Sequence, residues 1–361
     1  MTHTPINLQH SSQLANPITI ETLHAALAAS DAAISRVPID ARDLQFQAEG
    51  VISSGRLIRT DQIIRNRLFD KVGAPAGYLQ NHSLSFQADA LSAHASRGDF
   101  GQEPTLVLRD SELVTIVKGE LFALANGDVI RSVEEELGDE GKSLIATRVE
   151  RREERLDVDL LSPSKEISVR PGDIVRSGLH ITHERFGKQG TQIEAFVYRL
   201  VCSNGMTRRE CVHDGEQKAR TRKLPADFPN NHELQMNQVR RLVRRNWSLL
   251  DSQLRAFKAT SERFADVEEV LTRWLQRARI SSDNMLPRLL AAWEVEGAER
   301  THYGAINALT RVATHDRTLS GRQRRTLATL AGLLAFSEVH ICQTCFSVLT
   351  KGASHGSHSA H

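Results

Sequence analysis

Residues 174–211, IVRSGLHITHERFGKQGTQIEAFVYRLVCSNGMTRREC, constrain this chain more than any other stretch. From Gln192 the side chains alternate. Ile193, Ala195, Val197, Arg199 and Val201 point one way; Glu194, Phe196, Tyr198, Leu200 and Cys202 point the other. Period two with β-branched and aromatic residues specifies a strand. Neither face is cleanly polar, and a strand apolar on both faces is covered on both, so a central place in its sheet is expected. Residues 174–184 read as the preceding strand through Val175, Leu179 and Ile181, with Arg185-Phe-Gly-Lys-Gln-Gly190 as the hairpin loop. Ser203-Asn204-Gly205 is expected to end the second strand in an abrupt turn, because Asn-Gly tolerates positive φ.

At these residues Tyr198-Arg-Leu-Val-Cys-Ser-Asn-Gly-Met206 resembles the signature of a phage- and plasmid-encoded protein family of unknown function. In that family an Arg-x-Val-Cys-x-Asn motif closes a long strand. Upstream, Gly73-Ala-Pro-Ala-Gly-Tyr-Leu79 resembles its Gly-x-Pro-x-x-Tyr-Leu element. The resemblance spans residues 44–222 and implies a mobile-element context. It brings no known catalytic set.

The rest of the chain divides in two. In residues 18–37, Leu23, Ala26, Leu27, Ala33 and Ile34 stand at helical spacing, with Thr19 or Glu21 at the start. Residues 44–48 alternate as a strand, and 50–59 read as strand around a Ser53-Ser-Gly55 turn. Thr60-Asp61 opens a helix that Gly73-Ala-Pro75 ends. Residues 84–95 are helical. Residues 105–119 are strand with a tight connection at Arg109-Asp-Ser111; Asn126-Gly127 reads as a turn and 129–137 as a helix whose Glu134-Glu-Glu136 run is a solvated face. Residues 143–160 alternate as a strand pair closed by the exposed run 150–155, and Pro171-Gly172 turns the chain into the central hairpin. This predicts an α+β domain over 18–225, a curved and mostly antiparallel sheet with flanking helices. After Leu224 the period changes to 3.6: Leu234, Val239, Leu242, Val243, Trp247, Leu250, Leu254 and Phe257 form one long stripe over 232–259, and further stripes follow to 349. An all-helical region is predicted over 230–350, between a disordered 1–17 and a flexible His-rich tail, 351–361.

No apolar run is long enough to span a bilayer, residues 1–17 lack a signal-peptide pattern, and four cysteines without framework spacing fit a reducing compartment. A cytoplasmic protein with no membrane partner is expected. The net charge of +2 is unevenly divided: residues 204–361 hold 24 Lys+Arg against 16 Asp+Glu, and residues 1–203 hold 22 against 28. A basic half meets an anion, most commonly nucleic acid, or else the acidic half of its own kind.

The candidate nucleic-acid contacts are therefore basic: Arg185 and Lys188 in the hairpin loop; Arg208, Arg209, Lys218, Arg220, Arg222 and Lys223 in the segment after it; and Arg240, Arg241, Arg244 and Arg245 on a helix. Mobile cations bind phosphates without reading sequence. The structural alternatives are a loop self-neutralised by Glu210, Asp214 and Glu216, and a helix face paired with acids of another helix, since like charges at i and i+4 repel unless offset. His340-Ile-Cys-Gln-Thr-Cys345 with His355, His358 and His361 holds one Cys-x-x-Cys; zinc wants four ligands, and packed cysteines are the better reading. His180 and His183, with Asp173 and Glu184, form an acid–base or metal candidate or, more simply, satisfied strand residues. Walker, His-Glu-x-x-His and Gly-x-Ser-x-Gly motifs are absent. The expectation is a non-catalytic, homo-oligomeric mobile-element protein that binds nucleic acid, DNA rather than RNA, with single strands the suggested form and no cofactor or metal. The alternatives are a protein-interaction or anti-defence factor and, third, a nuclease or hydrolase. Scarce aromatics, 5% of residues, count against a stacking platform.

Overall fold

The computed structural model describes residues 17–53, 55–118, 124–152, 155–186, 190–199, 204–207 and 231–336. Two residues, Ile18–Thr19, form β1. Thr19 then caps helix α1 (Ile20–Ala32), its hydroxyl accepting the Thr22 amide at 3.2 Å. Strands β2 (Ile34–Pro38), β3 (Gln45–Gln47), β4 (Gly50–Ser53) and β5 (Arg56–Arg59) follow. Asp61 caps α2 (Gln62–Val72), which ends at Gly73 in the left-handed region, as its proline-bounded sequence requires. Short α3 (Ala76–Leu79) and α4 (Leu84–Ser96) lead to the hairpin of β6 (Pro104–Arg109) and β7 (Glu112–Lys118), whose two turn residues Asp110 and Ser111 both have positive φ.

Helices α5 (Asn126–Leu137) and α6 (Asp139–Lys142) precede four long strands: β8 (Ile145–Arg152), β9 (Arg155–Arg170), β10 (Asp173–Glu184) and β11 (Thr191–Arg199). β12 (Asn204–Thr207) completes the sheet. Helices α7 (His232–Trp247), α8 (Leu250–Ala259), α9 (Val267–Arg277), α10 (Ser282–Val295), α11 (His302–His315) and α12 (Gly321–Phe336) close the described chain. Among the described residues the strands form three antiparallel sheets: β1-β8-β9-β10-β11-β12, β2-β6-β7 and β3-β4-β5. The chain is thus α+β, with a helical C-terminal region.

The central hairpin pairs Val175 with Arg199 through to His183 with Thr191, and β10 and β11 lie inside the largest sheet. One apolar cluster sits on the sheet face that holds Leu156, Val158, Leu160, Leu179, Ile181 and Ile193, covered by α1, α5 and α7. A second joins Val169, Val175 and Val197 of the sheet to α8–α12. A third fills the unit built from β3–β5, α2, α4 and the β6–β7 hairpin.

Four expectations are corrected. Residues 34–38 are strand rather than helix, because the β-branched Ile34 and Val37 add an edge to β6, with Ile34 opposite Arg109 and Val37 opposite Leu106. Asn126 and Gly127 begin α5 instead of turning: the Asp31 carboxylate, distant in sequence, accepts the Gly127 amide at 2.8 Å. Asn204 and Gly205 are ladder residues opposite Arg199 and Tyr198, so they do not form the turn. The 232–259 stripe is two helices, because α7 packs into the α1–α5 cluster and α8 into the other.

Candidate functional site

The basic candidates do not gather into one patch. Arg185 directly follows β10 and is only 7% exposed; its Nη1 donates to Asp31 Oδ1 at 2.9 Å, and its guanidinium lies 5.3 Å from the Phe186 ring centroid. A buried arginine engaged by a carboxylate is unavailable to phosphate, so this assignment is corrected. Burial holds the Asp31 carboxyl above its ordinary range despite that pairing. Lys188, Arg208, Arg209, Lys218, Arg220, Arg222 and Lys223 lie outside the described residues, as do Cys202, Cys211, Cys342, Cys345 and the histidines from His340 onward.

Helix α7 carries the remaining four. Its Met236, Val239 and Val243 are buried against Val129, Ile130 and Val133 of α5, and charge lines the seam. Arg240 donates to Glu135, and Arg244 Nε to Glu136 Oε1 at 2.6 Å. His232 meets Asp128 at 3.1 Å at the same seam. The acid run of α5 is thus in part a pairing edge: Glu136 is largely covered, while Glu135 keeps the solvent exposure expected from sequence. Arg241 and Arg245 point outward and are exposed. So are Arg255 and Lys258 on α8; between residues 240 and 258 the one acid is Asp251, which Lys165 Nζ meets at 2.9 Å.

The largest sheet also carries a polar face, which sequence reasoning missed. Asp157 and Asp159 of β9 stand opposite Thr182 and His180 of β10, and His180 stands opposite Glu194 of β11. His180 Nδ1 lies 2.5 Å from Asp159 Oδ1 and Nε2 3.3 Å from Thr182 Oγ1; the Thr182 hydroxyl donates to Asp157 at 2.8 Å, and Arg155 reaches both Asp157 oxygens at 2.7 and 2.9 Å. This is a continuous run from imidazolium through hydroxyl to carboxylate to guanidinium, so the Thr182 proton is already committed to Asp157. Burial opposes the charge on His180, but the Asp159 carboxylate outweighs it and raises the imidazole above its ordinary value. Burial likewise opposes ionisation of Asp159, and His180 and Arg148 outweigh it, so that carboxyl is lowered. The lattice holds charge in place and presents no activated nucleophile.

His183 lies on the opposite face of β10 from His180. Its Nε2 meets the Leu124 carbonyl at 3.1 Å and its Nδ1 the Thr191 hydroxyl at 2.9 Å. A carbonyl only accepts, so Nε2 carries the proton and Nδ1 accepts from Thr191, which defines a neutral ring. Burial pushes its pKa down to about 4. Asp173 is elsewhere, bound by Arg199 at 2.8 Å and by the Tyr303 hydroxyl at 2.6 Å. The proposed grouping of both histidines with Asp173 and Glu184 is therefore not assembled. Among the described residues no group of three or more His, Cys, Asp or Glu side chains has metal-holding geometry.

A last surface is notable for what it lacks. Residues 72–88 contain no Asp, Glu, Lys or Arg, in a chain that is 25% charged. Much of this stretch is exposed, including Tyr78 at 61% and Phe86 at 46%. Tyr78, His82 and Phe86 form a row with ring centroids 4.5 and 4.7 Å apart. Amides border it: Gln62 donates to Asn66 and Gln87, and Asn66 to Gln80, at 2.9–3.1 Å. The missing charges were visible in the sequence; that they coincide with exposed rings was not.

Among the described residues no helix is long and apolar enough to cross a membrane. No protein-family model matches the chain, and neither a curated protein nor a solved structure does so.

Proposed function

We propose that this chain is a non-catalytic, mobile-element-type nucleic-acid-binding protein that contacts phosphates through the outer surface of α7 and α8. One observation carries the reading. Arg241, Arg245, Arg255 and Lys258 are exposed there, and the single acid between residues 240 and 258 is matched by Lys165. Cations on helices seated on a sheet are held in register, and such a surface binds backbone charge without reading bases. The motif at 198–206 supports the mobile-element context. DNA, in single strands, remains the suggested form.

Arg240 and Arg244 are held by Glu135 and Glu136, so these two are expected to add little to phosphate contact. Each phosphate contact on a single strand contributes about −0.7 to the log–log salt slope. Replacing Arg241, Arg245, Arg255 and Lys258 by Gln should make the slope shallower by up to about three units. Arg240→Gln with Arg244→Gln should leave it nearly unchanged. Fluorescence anisotropy of labelled single- and double-stranded DNA over a salt series checks this. An absence of binding by wild type at about 50 mM salt, where phosphate contacts are strong, would overturn the reading in favour of an interaction protein. The uncharged ring surface is the observation that favours that second reading.

A further inference from the structure

The exposed, uncharged surface around Tyr78, His82 and Phe86 has a composition that selects among partners. Tyr78 and Phe86 are open to solvent; Leu84 on α4 at 47% exposure and Ile63 on α2 at 54%, next in sequence to the border residue Gln62, add aliphatic area. Exposed apolar patches with a polar rim mark association surfaces, and the centre of such surfaces is enriched in aromatics and depleted in charge. Residues 72–88 meet both conditions. A phosphate chain is poorly matched to this stretch, which offers it no cation.

The polar groups of the patch narrow the choice further. Gln62, Asn66, Gln80 and Asn81 carry amides; Ser83 and Ser85 carry hydroxyls; Tyr78 and His82 also both donate and accept. Carboxylates only accept and guanidinium groups only donate, so a patch built of either repels its own copy. A patch of amides, hydroxyls and rings does not. Ring edges are positive and ring faces negative, so a ring row also complements another such row. The Tyr78–His82 pair is T-shaped at 60° and the His82–Phe86 pair is tilted by 35°, which leaves both edges and faces presented.

We infer that this surface binds a second copy of the same chain through a two-fold contact, in which the ring row of one protomer packs on that of its partner. In a contact of this kind each patch residue meets its symmetry-related counterpart region, and chemical self-complementarity is the property such symmetry demands. The inference is independent of the nucleic-acid reading, because it concerns a different face and is read by mass alone.

Sedimentation velocity of the full chain across a wide concentration range, without nucleic acid, tests it. Wild type should show a concentration-dependent dimer. Tyr78→Ser with Phe86→Ser should weaken dimerisation roughly a hundredfold, two aromatic anchors at about tenfold each. Ile63→Arg should do so independently, by placing like charges at the border of the contact, and it decides the matter if the double variant fails to fold. Phe264→Ser, at a ring 76% exposed before α9, should leave the dimer intact. A monomeric wild type at every concentration overturns the inference, as does a dimer indifferent to Ile63→Arg and to the double variant. A monomeric wild type whose affinity for an oligothymidine falls in the double variant overturns it in favour of base stacking.

Discussion

Gly178 lies where the backbones of the two longest strands come into close contact. The β9–β10 ladder shifts register between Arg176 and Gly178, and a Cβ at Gly178 would overlap the Leu160 carbonyl oxygen and sit 2.9 Å from the Leu161 Cα. Both obstacles are backbone, which cannot rotate aside. Gly178→Ala should therefore destabilise the protein by roughly 1–3 kcal/mol, the usual cost of forced overpacking, seen as a lower urea midpoint with unchanged slope. An unaltered midpoint would remove this account of the bulge. The sequence carries a legible signal here, since a glycine inside a strand pattern marks a bulge or a close approach. Gly205 drew attention instead, through its Asn-Gly dipeptide, yet it lies in the ladder opposite Tyr198. Local turn chemistry identified a suitable dipeptide; strand pairing decided its use.

At the scale of the element, β10 carries two histidines with opposite electrostatic fates. His183 is neutral between Leu124 and Thr191, with its pKa pushed down to about 4. In the unfolded chain it titrates near 6.5. Between those values the unfolded state binds more protons, so stability falls as pH drops through that window, by on the order of 3 kcal/mol in total. His180 is raised, so its contribution is complete below the unfolded value and is lost as pH climbs through the folded one. Asp157 and Asp159 are lowered; burial works against them, and Arg155 and His180 respectively outweigh it, so their contribution is lost at acid pH. Urea midpoints plotted against pH should peak between two limbs. His183→Gln should flatten the limb between about pH 6.5 and 4, and His180→Gln the alkaline limb. A wild-type midpoint independent of pH would refute both assignments. Alternation made the strand itself legible, but the fate of each histidine depends on Asp159, Thr191 and Leu124, residues that only the register brings near. The α7 arginines follow the same rule: their i, i+4 spacing announced a charged face, while Glu135 and Glu136, which pair with Arg240 and Arg244, are more than a hundred residues away.

Across the whole molecule, the change from period two to period 3.6 after Leu224 located the helical region correctly, but amphipathic stripes do not say what they pack against. The helices rest on the sheet: Val169, Val175 and Val197 share one core with α8–α12. A buried ionic latch crosses the same contact. Arg199 of β11 binds Asp173 of β10 and Glu296 beyond α10, Glu296 also accepts from Arg311 of α11 at 2.9 Å, and the Tyr303 hydroxyl of α11 donates to Asp173. Burial and the neighbouring Asp173 raise the Tyr303 phenol well above its ordinary range, so it stays a donor. With core and latch both shared, sheet and helices should unfold together. The three tryptophans, Trp247, Trp274 and Trp293, all lie on α7, α9 and α10, so their fluorescence reports the helices, whereas the amide infrared band of antiparallel strands reports the sheet. In wild type the two urea transitions should coincide. Glu296→Gln removes the carboxylate that Arg199 and Arg311 share; Arg199 keeps Asp173 and Arg311 is partly exposed, so the cost is that of weakened charged hydrogen bonds, about 1–3 kcal/mol. Both transitions should then move to lower urea by the same amount. If instead the fluorescence transition alone moves, or if the two are already separate in wild type, the latch belongs to the helices only and the sheet is a folding unit of its own.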